Sequence, residues 1–385
     1  MSGVHASAPR SPATAGLASS EGPGLLARVL SNDLPRSRLL ALLLVVIVLG
    51  LAFAPFLFPG AKALNVAAKI LVFVVLVASY DLLLGYTGIV SFAHTMFFGI
   101  GAYGVAIALT RLGPDWGVVA LGALGAVMLS VVLSAAIGLF SLRVRAIFYA
   151  MITLAVASAF QTLASQLSEI TGGEDGLSFK VPEILTPGFS LSDTPLFGVS
   201  LDGRLLAYYL LFGAAAVLFL LMLRVVNSPF GRVLQAIREN DFRAGAIGYR
   251  AVVYRTLSNI LGAIFATLAG VLLALWLRYN GPDTSLSFEV MLDVLLMVVI
   301  GGMGTMYGAL VGATLFILAQ SYLQDLMRLA SDAVAGLPAG GGLLAALFSP
   351  DRWLLWLGVL FVLSVYYFPT GIVGRLRALG ARSLR

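Results

Sequence analysis

Ten apolar runs recur along this chain, most of them near the roughly 20 residues that cross a lipid bilayer as a helix. They fall at 39–58, 65–85, 96–110, 116–140, 146–168, 205–223, 254–277, 288–300, 306–326 and 353–368. Composition closes off the soluble alternative. Soluble domains carry about a quarter charged residues, whereas here 11% are charged and 60% are hydrophobic, with a mean hydropathy of +0.99. Lipid is the solvent for such a chain, and lipid offers no partner to an unpaired backbone N–H or C=O, so the spans must be helices. The expected fold is all-α and polytopic, with about ten transmembrane helices. The third and eighth runs are short and Gly-flanked, which in a transporter marks broken or re-entrant helices.

A formal charge of +6 and a pI near 9.6 could suggest nucleic acid, but the basic residues sit in loops that flank the spans. Lys62, Lys69, Arg111, Lys180, Arg204, Arg278, Arg328 and Arg352 fall on one side or at its helix ends. The rest of the 24 Lys and Arg fall on the other side, in the N-terminal tail, at Arg143 and Arg145, in the loop at 224–253 with Arg255 just after it, and in the C-terminal tail. The positive-inside rule then puts both termini in the cytoplasm, with 169–204 outside and 224–253 inside. Residues 1–38, rich in Ala, Ser, Gly and Pro, read as a flexible cytoplasmic tail rather than a signal peptide, because no short apolar core with a cleavage site occurs there. Residues 39–374 make the permease domain, and 375–385 a basic cytoplasmic tail. There is no cysteine, and only two histidines, His5 and His94, so no metal site is expected.

Catalytic signatures are missing. The three lysines, Lys62, Lys69 and Lys180, do not follow glycine, so no phosphate-binding loop can be written, and no H-E-x-x-H or G-x-S-x-G occurs. The chain reads as no enzyme. Transport that needs ATP must draw it from another subunit. Gly99, Gly101 and Gly104 satisfy G-x-G-x-x-G, but with no preceding strand and an apolar surround they read as helix packing. Gly304, Gly308 and Gly312, four apart, read as a second packing face. The Gly-rich stretches at 85–104 and 301–312 each follow an apolar span, a hint of internal repetition.

Polar residues inside the spans are costly and therefore informative. Asp81, Ser91, His94 and Thr95 lie in or after the second span, and Glu289 and Asp293 share a face of the eighth. Two readings stand for them. They line or gate a solute path, with Gly88 and Gly99 allowing unwound backbone beside it, or they tie down irregular backbone. The long loop carries residues 228–248, which read as a helix capped by Ser228 with Pro229 at its first position. Phe230, Val233, Leu234 and Ile237 form an apolar ridge beside Arg232, Arg238, Glu239 and Asp241. Such a segment docks on a partner or lies on the membrane surface.

The stretch YDLLLGYTGIVSFAHTMFFGIGAYG at 80–104 resembles the signature of LivM-type branched-chain amino acid ABC permeases. So, in order, do TGGEDG at 171–176, the run at 228–248 and MVVIGGMGTMYGALVGA at 297–313. Two positions depart from that pattern: Phe92-Ala93 stands where the family commonly has Leu-Gly, and Asp81 where it often has Asn. The resemblance implies a homologous LivH-type permease as partner, two cytoplasmic ATPase subunits that hold ATP and Mg, and a periplasmic substrate-binding protein. It places the ATPase-coupling segment on Phe230 to Gly248 and a pore-associated stretch on Gly85 to Gly104. The expected function is translocation of branched-chain or related amino acids across the inner membrane by alternating access, with no cofactor on this chain. An ion-coupled secondary transporter, using Asp81 and Asp293, is the alternative.

Overall fold

The computed structural model describes residues 37–58, 60–141, 146–186, 188–189, 202–335 and 348–382. Most of the tail at 1–38, the external stretch around 190–201, and Arg143 and Arg145 lie outside them.

The bundle is organised around α2 (Ala61–Thr87), whose residues from Val66 to Thr87 are all buried except Lys69. A helix that is apolar on every side has no solvent face to present, so it takes the centre. Three helices pack closely on it: α6 (Gly203–Val226), α9 (Ala251–Leu277) and α11 (Met306–Ala335), while α3 (His94–Leu112) packs mainly on α9 and touches α2 through His94–Ser79 and Phe98–Phe73. The short α10 (Phe288–Gly301) joins them. Outside lie α1 (Arg38–Ala52), α4 (Trp116–Ser141), α5 (Ala146–Gln166) and α12 (Trp353–Tyr367). These turn Leu124, Ile147 and Tyr366 outward, at 65%, 75% and 78% exposure. In water such a surface would aggregate; facing acyl chains it is what the bilayer requires.

Among the described residues nine helices are long and apolar enough to cross a membrane, and α1, of 15 residues, is a shorter apolar one. Each of the ten expected spans falls on a helix, but the breaks differ in place. The third span is not interrupted: α3 runs for 19 residues, and the irregular backbone precedes it, between Gly88 and Ala93. The eighth is short because a separate turn, Pro282–Ser285, leads into α10. The expected basic tail is also helical as far as it is described: α13 (Gly371–Arg382) packs on α10 and α11.

The G-x-G-x-x-G glycines are packing positions. Gly101 lies against the Thr267 carbonyl of α9, and Gly270 against the Phe98 carbonyl of α3, so the two backbones touch reciprocally. A Cβ on Gly122 of α4 would meet the Gly104 carbonyl at 2.7 Å. The second glycine face is corrected in one member. Gly308 and Gly312 do face the backbone of α10, but Gly304 is in the loop before α11 with φ +79°, so it shares no helix face with them.

The TGGEDG stretch forms a compact cap. Its neighbours Leu177–Ser178 (β1) pair antiparallel with Tyr279–Asn280 (β2), just past the end of α9. Gly176 must be glycine: its φ is +69°, and a Cβ would sit 2.8 Å from Gly281 Cα.

Candidate functional site

A polar cleft of about 760 Å³ lies between the first turns of α2, the end of α9, α10 and the middle of α11. Lys62 and Lys69, two turns apart on α2, occupy one wall. Glu289 and Asp293, one turn apart on α10, occupy another, with Gln320 from α11 between. Val72, Phe73, Leu273 and Val290 supply apolar surface. Lys69 Nζ donates to Gln320 Oε1 at 3.0 Å, and Gln320 Nε2 donates to Asp293 Oδ2 at 3.2 Å. Lys69 also lies 5.5 Å from the Phe73 ring centroid, within cation–π range. Lys62 pairs with Asp325 at the exposed rim.

The far end of α2 is closed. Asp81 is 1% exposed, and its Oδ1 accepts the Gly304 N–H at 2.8 Å. Its Oδ2 is buried without a hydrogen-bond partner. One turn on, the Gly85 carbonyl accepts from Arg238 Nη1, which reaches in from α7 (Pro229–Glu239). Gly304 needs its bare Cα here, because a Cβ would lie 2.8 Å from Arg238 Nη1 and 2.9 Å from the Gly85 carbonyl. Arg238 Cγ also backs Gly88, where α2 ends in the left-handed conformation at φ +72°. The two Gly-rich stretches that looked like weak repeats therefore meet, and one arginine clasps them.

That contact corrects the expected docking helix. Ser228 does cap α7 and Pro229 starts it, but the apolar ridge faces inward: Leu234 is 0% and Ile237 1% exposed. Phe230 stacks on Tyr254 with centroids 5.8 Å apart. Ile237 is thus an internal packing residue and has no surface for another subunit. Arg238, expected on the charged rim, has its guanidinium on the bundle side. Arg232 and Glu239 are exposed, and Asp241 pairs with Arg255 at 3.1 Å. The outward apolar surface of the loop is Phe242 on α8 (Asp241–Ala246), 88% exposed, and Ile247 beyond it, 73% exposed. Gly248 follows, exposed, with φ +98°. Sequence reasoning missed this face because it carried one helical period through Asn240, where a new cap starts: Asn240 Oδ1 accepts from Arg243 N at 2.9 Å.

Of the six expected path residues, only Asp293 lines the cleft. His94 is 1% exposed at the start of α3, its Nε2 2.8 Å from Ser79 Oγ and its ring beside Tyr80. The Ser79 hydroxyl already donates to the Leu76 carbonyl, so its oxygen is the acceptor for the histidine. Ser91, also buried, lies beside the hydroxyls of Tyr80 and Tyr149. Gly99 packs on Leu286 and Ser285. Ser91 and His94 thus sit at the irregular backbone that joins α2 to α3, and Gly99 is a packing position inside the α3 helix. Lys69 and Gln320 went unremarked as site residues. Lys69 had a signal, as the one charge set inside the apolar first half of the second span. Among the described residues no group of three His, Asp or Glu could hold a metal.

The family model described as "Branched-chain amino acid transport system / permease component" matches residues 62–365. The high-affinity branched-chain amino acid transport system permease protein LivM of Escherichia coli K12 is 26% identical over 324 residues, covering 80% of this chain and 74% of that protein. LivM of Salmonella typhimurium is 25% identical over 321 residues, 79% of this chain and 72% of its own. The LivH permease protein of Escherichia coli K12 is 23% identical over 301 residues, 77% of this chain and 89% of its own. No solved structure matches.

Proposed function

Because the chain belongs to the family of permease components of branched-chain amino acid transport systems, we propose that it is the LivM-like permease subunit of a binding-protein-dependent ABC importer in the bacterial inner membrane. The multi-pass architecture is given by the helices. The importer assignment goes further. In this reading a LivH-type second permease completes the membrane unit, and two ATPase subunits holding ATP and Mg work on the cytoplasmic side. A periplasmic binding protein delivers branched-chain or related amino acids, and both termini of this chain are cytoplasmic. Similarity of the same chain to LivM and to LivH proteins supports a unit built from two related permeases.

One observation carries the mechanism. Along the single helix α2, one end borders an open polar cleft and the other is shut by Asp81, Gly304 and Arg238. With the termini inside, the cleft opens outward and the clasp closes the cytoplasmic end. A solute released outside enters the cleft while the inner end is closed. Movement of the loop that bears Arg238, driven by the ATPases, withdraws the guanidinium from Gly85 and frees the inner end, which is alternating access with a named latch.

The test is uptake in proteoliposomes carrying this permease with its partner subunits. Leucine uptake that needs both ATP and the binding protein supports the reading. Uptake by this chain alone, driven by an ion gradient, would establish the secondary-transporter alternative instead. Single cysteines at Glu174 and Gln235, both exposed in a protein with none of its own, should label from opposite sides of the membrane.

A further inference from the structure

Lys69 and Asp293 do not pair with each other. A neutral amide stands between them, and its polarity is fixed. A lysine ammonium only donates and a carboxylate only accepts, so Gln320 turns its oxygen to Lys69 at 3.0 Å and its NH₂ to Asp293 at 3.2 Å. An α-amino acid has the same polarity. Its carboxylate accepts and its ammonium donates, and two carbons separate the groups where one separates the amide's O and N. We propose that Lys69 and Asp293 form a subsite for the zwitterionic head of an amino acid, and that Gln320 is an internal occupant that the solute displaces.

Three features favour exchange over a permanent network. Each bond of the amide has a charge on one side only, whereas a zwitterion makes each contact an ion pair and adds Coulomb attraction to the hydrogen bond, so it gives each wall a better partner than the amide does. The amide sits at the end of a flexible side chain and borders about 760 Å³ of open cleft, with room for a head group to enter and for the side chain to withdraw. The neighbours match the rest of such a solute. Glu289, one turn before Asp293, gives the ammonium a second acceptor, and Phe73, Leu273 and Val290 offer apolar surface to an aliphatic side chain. Lys62 lies two turns away at the rim beside Asp325, outside the Gln320 bridge.

This inference rests on the permease reading for its physiological setting, but binding can be tested without transport. The permease complex with its ATPases, without the binding protein, is placed in lipid nanodiscs, and binding is measured with leucine, leucinamide and 4-methylpentanoate. The three share a side chain and carry both charges, the ammonium alone, or the carboxylate alone. Leucine should bind at least roughly tenfold more tightly than either analogue, the factor worth about 1.4 kcal/mol. Lys69→Gln should erase the preference for leucine over leucinamide alone, and Asp293→Asn the preference over 4-methylpentanoate alone. Gln320→Ala should tighten leucine binding several-fold by removing the competitor. Co-purification with the partner subunits and an unchanged thermal midpoint show that each variant is folded. Equal binding of all three probes, or variants that keep the wild-type discrimination, overturns the subsite. If the wild type binds none of them yet imports leucine with ATP, the permease reading stands and the subsite falls. If leucine is never imported but discrimination collapses in the two variants as stated, the subsite stands and the substrate assignment falls.

Discussion

Asp81 and Asp293 look alike in sequence, each an aspartate inside an apolar span, yet they sit in opposite surroundings. Asp81 is 1% exposed, and one of its oxygens is fixed by the backbone N–H of Gly304. Asp293 is half-buried beside an open cleft and meets the side-chain amide of Gln320. A carboxylate held by backbone resists change, because its partner cannot leave without moving a chain segment. A carboxylate held by a flexible side chain can trade partners. One end of α2 is therefore built to stay closed until the backbone moves, and the other to exchange solute and water.

The largest effect should come from the closed end, where the loop meets the bundle. Ile237→Asp puts a charge where a residue is 1% exposed, a cost on the order of 3–5 kcal/mol. Folded protein recovered from membranes should drop sharply. Phe242→Asp, at an 88% exposed position, should leave folding intact and reduce co-purification of the ATPases. If Ile237→Asp folds normally and only ATPase retention falls, α7 is a docking helix after all and the inward ridge is wrong.

Next in size is the pair of acids. Asp81→Ala leaves the Gly304 N–H buried without its acceptor, at a cost of about 1–3 kcal/mol. Thermal unfolding in detergent should shift down by several degrees. Asp293→Ala should leave the midpoint almost unchanged while leucine uptake falls by roughly tenfold or more. Equal thermal shifts in the two variants would erase the contrast between the ends. Arg238→Ala comes third. It removes the donor to the Gly85 carbonyl but leaves the Asp81–Gly304 bond in place, so stability should fall less than with Asp81→Ala. The informative readout is coupling: ATP hydrolysis without solute should rise and uptake per ATP should fall. Arg238→Lys, which keeps the charge and a donor but loses the planar fork, should be intermediate.

The helical architecture was legible because bilayer length and low charge leave few alternatives, and each expected span found its helix. The cap at Ser228 and Pro229 was legible too, since capping is local chemistry. What could not be read was which face of α7 turned inward. An amphipathic period gives a stripe without saying whether that stripe meets its own bundle or a stranger. The meeting of Gly85 with Gly304 was hidden for a related reason, as it joins residues more than 200 positions apart through one arginine side chain. His94 attracted attention as a rare polar residue, yet its neighbours Ser79 and Tyr80 show it securing the start of α3. Lys69 was counted with the charges near one membrane face, and only the fold shows Gln320 and Asp293 beside it.

The smallest expected effect tests whether the cleft is a site or merely a charged mouth. Lys62 and Lys69 lie two turns apart on the same face of α2 and both border the cleft. Lys62 and its partner Asp325 are 59% and 60% exposed, so solvent and salt screen the pair, and such pairs contribute about 0–1 kcal/mol. Lys62→Gln should leave the thermal midpoint within about a degree of wild type and leucine uptake nearly unchanged at physiological salt. At low ionic strength a modest slowing is expected, because the rim charge then helps draw the solute carboxylate in. Lys69→Gln, by contrast, should reduce uptake at every ionic strength, since its ammonium sits beside Gln320 and away from the screening rim. Parallel measurements of initial uptake rate against salt for the two variants separate the cases. If the curves for Lys62→Gln and Lys69→Gln coincide, the lysines act as one diffuse field and no position in the cleft is special. If only the Lys69 curve is displaced throughout, the exchangeable end of α2 is a discrete contact, as the opposition between Asp81 and Asp293 requires.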